Sequence, residues 1–431
     1  MLKLPVMKKI IFLLLILLGH VSYGQDGWKI ALEKFDYKGA VLELDKIIAN
    51  RMSKVPVDSA EVRSLVIQKA KCLKQIMDFE AAYETLATVY EWENGDIVIL
   101  GEMAECVRLM GNNAEALAIY GILCQISPDN LYFRLQRMML QYNLGMYEEC
   151  VENGKGILKK DTLPMVLNCV GNGFNKLKLK DSALCYYGKL YNLTPYDHKV
   201  VEKISAILLD RKMYDSVAVL CSNFLKDDPM NVTINGVYGV ALHFMKDYKE
   251  SHNAFDRYLE AGGDTLTAYY YEGLNSIMER NFYVAETCFK KAMEYDSTNV
   301  DIVYYAAFAT AEIMRFEKSL ELYNLAEKMV QPDSMILYKI NYGKAEALFR
   351  YGKYKSALSQ YLKAMKYGGK SKEPLIYSRL GYCYRLMGEY QKAIENYEKY
   401  LLSQGEKTEA TKSFVEEELK YIREELFMIE K

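Results

Sequence analysis

Few residues of this 431-residue sequence are of types that do chemistry, and their spacing does not support it. The four histidines are His20, His198, His243 and His252. The last two fall on different predicted helices, with no cysteine or acid at ligand spacing, so no metal site is described. There is no glycine-rich phosphate loop, no nucleophile elbow and no acid pair whose geometry can be argued. The sequence therefore points away from an enzyme and implies no cofactor and no metal.

Nine cysteines remain. Cys72, Cys106 and Cys383 recur at one position of a repeated helix. Cys150 and Cys221 take core positions of its partner helix, where a small apolar residue packs well. That placement and the odd count favour buried free thiols, with one or two bridges as the alternative. Asn168, Asn172 and Asn175 step by four and three, so their amides face one side of one helix. Side-chain amides donate and accept, which suits gripping an extended peptide. The plainer reading is a solvated polar face.

The elements that position these residues are helical hairpins. Between Pro374 and Leu401, Tyr377, Leu380, Gly381 and Tyr384 form one stripe with spacings of three and four. Gly388 breaks the helix, and Tyr390, Ala393, Ile394, Tyr397 and Tyr400 form a second stripe. Small residues, Gly381 and Ala393, sit where the two helices would cross. Steps of about 34 residues repeat the pattern along the chain. First-helix positions fall at Ala70, Ala104, Met138, Gly171, Ser205, Gly239, Gly273, Ala307, Ala345 and Gly381. Their second-helix partners are Ala82, Ala116, Cys150, Ala183, Val217, Ser251, Ala285, Ser319, Ala357 and Ala393. Four residues on come Leu86, Tyr120, Tyr187, Phe255, Phe289, Tyr323, Tyr361 and Tyr397. Gly154 departs from that series and predicts a loosely packed hairpin.

Pro128, Pro195, Pro229 and Pro332 follow second helices, where a helix must stop. Pro164 and Pro374 fall where first helices begin, so no proline is expected inside a repeat helix. The period stretches between Ala307 and Ala345, through QPDS, and between Ala345 and Gly381, through GGKSKE; longer turns are expected there. Trp28–Phe35 and Lys38–Asn50 read as a shortened eleventh hairpin. From Thr408, Val415, Leu419, Ile422, Leu426 and Ile429 make one narrow apolar stripe, with Glu416, Glu417, Glu418, Lys420, Arg423, Glu424 and Glu425 around it. It reads as a helix covering the last hairpin, with a coiled-coil dimer as the rival.

The recurring Leu-Gly, Tyr and Ala positions resemble the tetratricopeptide repeat. That resemblance implies an all-α, right-handed α-solenoid of helix-turn-helix hairpins with a C-terminal capping helix. It divides the chain into an N-terminal leader (1–24), ten to eleven repeats (25–407) and the capping helix (408–431). In that family first helices line a concave surface that holds partners. Carried over by position, the groove comprises Lys71, Lys74, Glu105, Arg108, Tyr132, Leu135, Tyr142, Asn168, Asn172, Asn175 and Lys176. It continues through Glu202, Asp210, His243, Phe244, Tyr270, Leu274, Met278, Tyr304, Phe308, Tyr342, Phe349, Arg350, Tyr382 and Arg385. Exposed rings in a concavity bind with little rotamer entropy lost; the alternative is that they pack between hairpins. The family's carboxylate clamp is not matched, because neighbouring repeats lack the Lys, Asn and Arg it needs.

The N-terminus reads as a secretory signal peptide: Lys8 and Lys9, an apolar run from Ile10 to Leu18, and Ser22-Tyr23-Gly24. Cleavage after Gly24 is expected, with an uncleaved anchor as the alternative. The run is shorter than the roughly 20 residues a membrane span needs. With no cysteine before Cys72, a lipid anchor is not expected. Removing Lys3, Lys8 and Lys9 leaves 52 Lys and Arg against 57 Asp and Glu. That balance argues against a nucleic-acid partner, and no later run is long enough for membrane insertion. The expectation is an exported, periplasmic or outer-membrane-associated scaffold for protein or peptide partners. The alternative is a peptide-binding regulatory protein whose output module is on another chain.

Overall fold

The structure, a computed structural model, describes residues 27–90, 96–330 and 333–429, with side chains through residue 426. Among them every regular element is a helix, as expected for an all-α solenoid. The leader lies outside the described residues. The chain divides between Pro195 and Tyr196 into two compact units.

The first unit pairs α1 (Gly27–Glu33) with α2 (Tyr37–Met52), α3 (Ser59–Gln75) with α4 (Phe79–Tyr90), and α5 (Ile97–Leu109) with α6 (Asn113–Ile126). Then come α7 (Leu131–Asn143) with α8 (Tyr147–Leu158), and α9 (Pro164–Lys176) with α10 (Lys180–Leu193). The second unit pairs α11 (His198–Asp210) with α12 (Tyr214–Phe224), α13 (Val232–Met245) with α14 (Tyr248–Glu260), and α15 (Thr265–Met278) with α16 (Phe282–Tyr295). It continues through α17 (Val300–Glu312), α18 (Phe316–Met329), α19 (Ser334–Arg350), α20 (Tyr354–Leu386), α21 (Tyr390–Leu402) and α22 (Glu409–Ile429).

Local sequence explains both ends of the first helices. Asp58, Asp96, Asn130, Asp197, Asn231, Asp264, Asn299 and Asp333 precede first helices, and each side chain accepts from an N–H two or three residues on. These caps satisfy donors that a helix start leaves unpaired. Each hairpin then turns on a left-handed residue: Phe35, Met77, Gly111, Gly145, Lys178, Lys212, Lys246, Arg280, Met314, Gly352 and Gly388. Only four are glycine, so the turn is fixed by position more than by residue type.

The hairpins close over small residues. A Cβ on Gly171 would come 2.5 Å from the Tyr187 ring, one on Gly239 2.7 Å from Phe255, and one on Gly273 2.7 Å from Phe289. A Cβ on Gly381 would come 2.6 Å from Tyr397. Each ring is fully or almost fully buried, so a first-helix glycine makes room for the second-helix aromatic.

Two expectations are corrected. The hairpin of Gly154 is not loose: a Cβ there would come 3.2 Å from the Met138 sulfur of its own hairpin and 2.3 Å from Val170 of the next. The stretch GGKSKE is not a long turn. Two helices share the span Tyr354–Leu386 and meet at Gly369, whose φ of 64° and ψ of 179° redirect the chain. Pro374 lies five residues past that break, in the opening turns of the helix that follows, near where a first helix was expected to begin. The other stretched period is taken up in part by α19, which is 17 residues long against 13 for α17.

Helix α22 packs on α21 and α20. Val415, Leu419 and Ile422 are buried against Ala393, Tyr397 and Tyr400, which makes it a capping helix and removes the stripe from a coiled coil. Ile429 lies outside the described side chains.

Candidate functional site

In the first unit, three charged members of the expected groove, Lys74, Glu105 and Arg108, form one ion-pair cluster with Glu102. The Lys74 ammonium bridges Glu102 at 2.5 Å and also Glu105; these two carboxylates raise its pKa against the opposing effect of burial, the largest cause. Arg108 lies 3.8 Å from Glu105. Lys71 and Lys176 are exposed, and Leu135 is half-buried. Tyr132 is 45% exposed and rests edge-on against Phe133, with ring centres 5.9 Å apart. Tyr142 meets Tyr147 edge-on at 5.5 Å.

Asn168, Asn172 and Asn175 are all half-buried on α9. Asn172 Oδ1 accepts the Tyr187 hydroxyl at 2.8 Å and Asn175 Oδ1 accepts from Lys180 at 3.2 Å. Helix spacing does bring the three amides together, but two of their carbonyls already serve their own hairpin.

In the second unit, Glu202 and Asp210 are exposed on α11. His243 is not a groove residue. Its Nδ1–H donates to Asn275 Oδ1 at 2.7 Å, Asn275 Nδ2 donates to Ser251 Oγ at 2.9 Å, and Ser251 donates to the Gly239 carbonyl at 2.8 Å. This chain ties α13, α14 and α15 through buried polar atoms, and burial lowers the His243 pKa. Phe244 is 48% exposed and stacks on Tyr214 at 4.8 Å.

The aromatic series packs both within hairpins and between them. Tyr270 meets Phe289 and Tyr305 at 6.3 and 6.4 Å, with Leu274 packed in the same cluster. Tyr304 meets Tyr323 at 5.8 Å, and Phe308 meets Phe282 at 6.1 Å. Tyr342 meets Tyr361 at 5.7 Å, and Phe349 meets Tyr382 at 5.4 Å. Burial pushes the Tyr304 phenol up to about 12. Met278 remains exposed, and Arg350 bridges Glu312 at 2.6 Å.

Two expected residues are covered by the chain itself. Phe414 stands edge-on to Tyr382 at 5.3 Å. Arg385 pairs with Glu418 and lies over the Tyr382 and Tyr421 rings at 5.0 and 5.8 Å. Glu418 therefore faces inward, where burial raises its pKa against the pull of Arg385.

The segment that covers them leaves a cleft of about 570 Å³ beside it. Tyr338, Lys339 and Tyr342 of α19 form one wall, Lys372 and Leu375 of α20 another, and Lys407, Thr408 and Thr411 the lip. Lys372 bridges Glu406 at 2.7 Å, and the Glu406 N–H donates to the Ser371 carbonyl at 3.2 Å. Lys407 donates to the Leu401 carbonyl at 2.8 Å, while Lys339 is exposed. A smaller opening of about 300 Å³ shares Leu375 and Thr411 and reaches Arg379, Tyr382 and Phe414. An aromatic floor with a lysine rim can hold an apolar side chain and the polar backbone around it. A wider groove of about 870 Å³ runs between α21 and α22, away from the expected residues. Among the described residues, no group of three or more His, Cys, Asp or Glu is placed to hold a metal, and no helix is long and apolar enough to cross a membrane.

Comparison with known proteins finds the same repeat. The tetratricopeptide repeat family matches residues 374–414, the last hairpin and the start of its cap. TPR repeat-containing protein MJ1428 of Methanocaldococcus jannaschii is 22% identical over 333 residues, covering 75% of this chain and 53% of that protein. The chain thus spans about half the length of that relative. A tetratricopeptide repeat protein from Parabacteroides merdae is 17% identical with a TM-score of 0.43, covering 60% of this chain and 98% of that structure. Yeast Tom70 is 13% identical with a TM-score of 0.37, covering 94% and 96%. The repeat match and the curated relative support a tetratricopeptide repeat protein, a fold that suggests a protein-binding scaffold.

Proposed function

We propose that this chain is a scaffold or adaptor of the bacterial cell envelope that binds protein or peptide partners on its first-helix face. The observation that carries this reading is the cleft of about 570 Å³ beside Tyr342. Its lining mixes apolar and aromatic walls with donors from lysine and threonine, the composition of a site that takes a side chain together with its backbone. The leader supports export: a basic start, a short apolar run and small residues ending at Gly24. The chain has no need of a cofactor to hold a peptide.

The test is co-purification of the tagged chain from the envelope fraction, comparing the parent with Leu375→Asp and Leu362→Asp. Leu375 lines the cleft, whereas Leu362 is exposed on the second-helix side of the same region. Loss of a stoichiometric partner in Leu375→Asp alone is the expected result. Equal retention in both variants would move recognition elsewhere, and recovery of the chain only from the cytoplasm would overturn the envelope assignment.

A further inference from the structure

The sulfur atoms of Cys150 on α8 and Cys169 on α9 lie 3.5 Å apart. Two glycines set that closeness. A Cβ on Gly154 would come 2.3 Å from Val170, and one on Gly173 2.8 Å from Val151. The two helices therefore approach through backbone where side chains would hold them apart. Cys150 is buried and Cys169 is only partly so.

We propose that Cys150 and Cys169 form a redox-active pair, a modification site that staples α8 to α9 when the chain meets a disulfide oxidant. Bonded sulfurs stand about 2 Å apart, so closure needs the two side chains to approach by roughly 1.5 Å. Cys169, the accessible member, loses its proton and its thiolate attacks one sulfur of an oxidant R–S–S–R. The Cys169–S–S–R mixed disulfide forms and RS⁻ leaves. Cys150 then gives up its proton and attacks the Cys169 sulfur, expelling the second RS⁻. Two thiols are oxidised, one external disulfide is reduced, and the two released protons complete two RSH. The hydrogen bond to Cys169, with burial, raises the Cys150 pKa, consistent with Cys169 attacking first. Closure fixes α9, and with it the Asn168, Asn172 and Asn175 face, against α8.

Peptide mapping of the full-length chain tests this after equilibration with oxidised and reduced glutathione. Exposed Cys185 on α10 serves as the internal reference for oxidant access. The expected result is a linked Cys150–Cys169 peptide pair and, beyond the one thiol consumed at Cys185, a loss of two titratable thiols from the parent and none from Cys169→Ser. Cys185 should carry only a mixed disulfide under the same conditions. If Cys185 is modified while Cys150 and Cys169 both stay reduced, or if the mapped bridge joins other cysteines, the proposal is wrong. Mapping the parent needs no variant to fold.

Discussion

Met138 and Gly154 have exchanged sizes across one hairpin. The Met138 sulfur lies 3.2 Å from the point a Gly154 Cβ would take, and Met138 is fully buried. At Gly171, Gly239, Gly273 and Gly381 the first helix supplies the small residue and the second the ring, as Gly171 does for Tyr187. Here the thioether reaches across from the first helix and Gly154 yields. Methionine suits that role because its flexible chain fills irregular space.

This exchange predicts a coupled pair. Gly154→Leu alone should cost on the order of 1–3 kcal/mol through overpacking. Combining it with Met138→Ala should cost less than the sum of the two single changes, since each relieves the other. Urea unfolding of the four proteins checks it. Strict additivity would mean that the two sites do not share one space.

At the more usual crossing, Gly239→Leu should destabilise by on the order of 1–3 kcal/mol. The Phe255 ring already stands 2.7 Å from the added Cβ and is fully buried. A parent-like thermal midpoint would show that the crossing is not where the repeat frame puts it.

The turn residues yield a stabilising change. Lys246 is exposed and holds a φ of 67°, a conformation that costs a residue with a Cβ about 1–2 kcal/mol. Lys246→Gly keeps the backbone N–H bond to the His243 carbonyl and should gain about 0.5–1 kcal/mol once glycine's extra chain entropy is deducted. The same replacement at Lys363, inside α20 and exposed, should lose about 1 kcal/mol. A denaturation midpoint moving the same way in both would contradict the turn geometry.

His252 gives the fold a pH dependence. Its Nδ1 bonds Glu272 at 2.5 Å and its Nε2 faces Glu279 at 3.3 Å. The Glu272 hydrogen bond is the largest cause of a pKa raised above 6.5. A raised folded value means the stabilisation is complete below the unfolded pKa, about 6.5, and is lost as pH rises through the folded value. Relative to His252→Gln, the parent should gain most near pH 5 and progressively less toward alkaline pH. A difference that stays flat across that range would exclude the ion pair as its source.

Much of the fold was legible because helix crossings demand small residues at fixed spacing, and Gly239, Gly273 and Gly381 supply them. The turns were less so: a left-handed lysine such as Lys212 carries no residue-type signal, only its place in the period. Gly369 was misread because a single positive φ redirects a helix that a loop was expected to interrupt. The groove was harder still. Periodicity puts Tyr270, Tyr304 and Tyr342 on first helices, yet only packing shows that each meets a buried ring of its own second helix edge-on, with Tyr270 also meeting Tyr305 of the next hairpin. Asn275 was missed because one buried amide joining His243 to Ser251 has no local pattern. Tyr382 and Arg385 lie on a first helix as the period has them, but their cover, Phe414 and Glu418, comes from a segment whose docking angle the sequence does not state.

The central claim is that partners enter the cleft beside Tyr342. A photo-crosslinking residue placed at Lys339, on that wall, and separately at Lys363, outside it, tests this most directly in the native envelope. The account predicts one discrete crosslinked partner from position 339, suppressed by Leu375→Asp, and none from position 363. The same adduct from both positions, or an adduct at 339 that Leu375→Asp leaves unchanged, would contradict it.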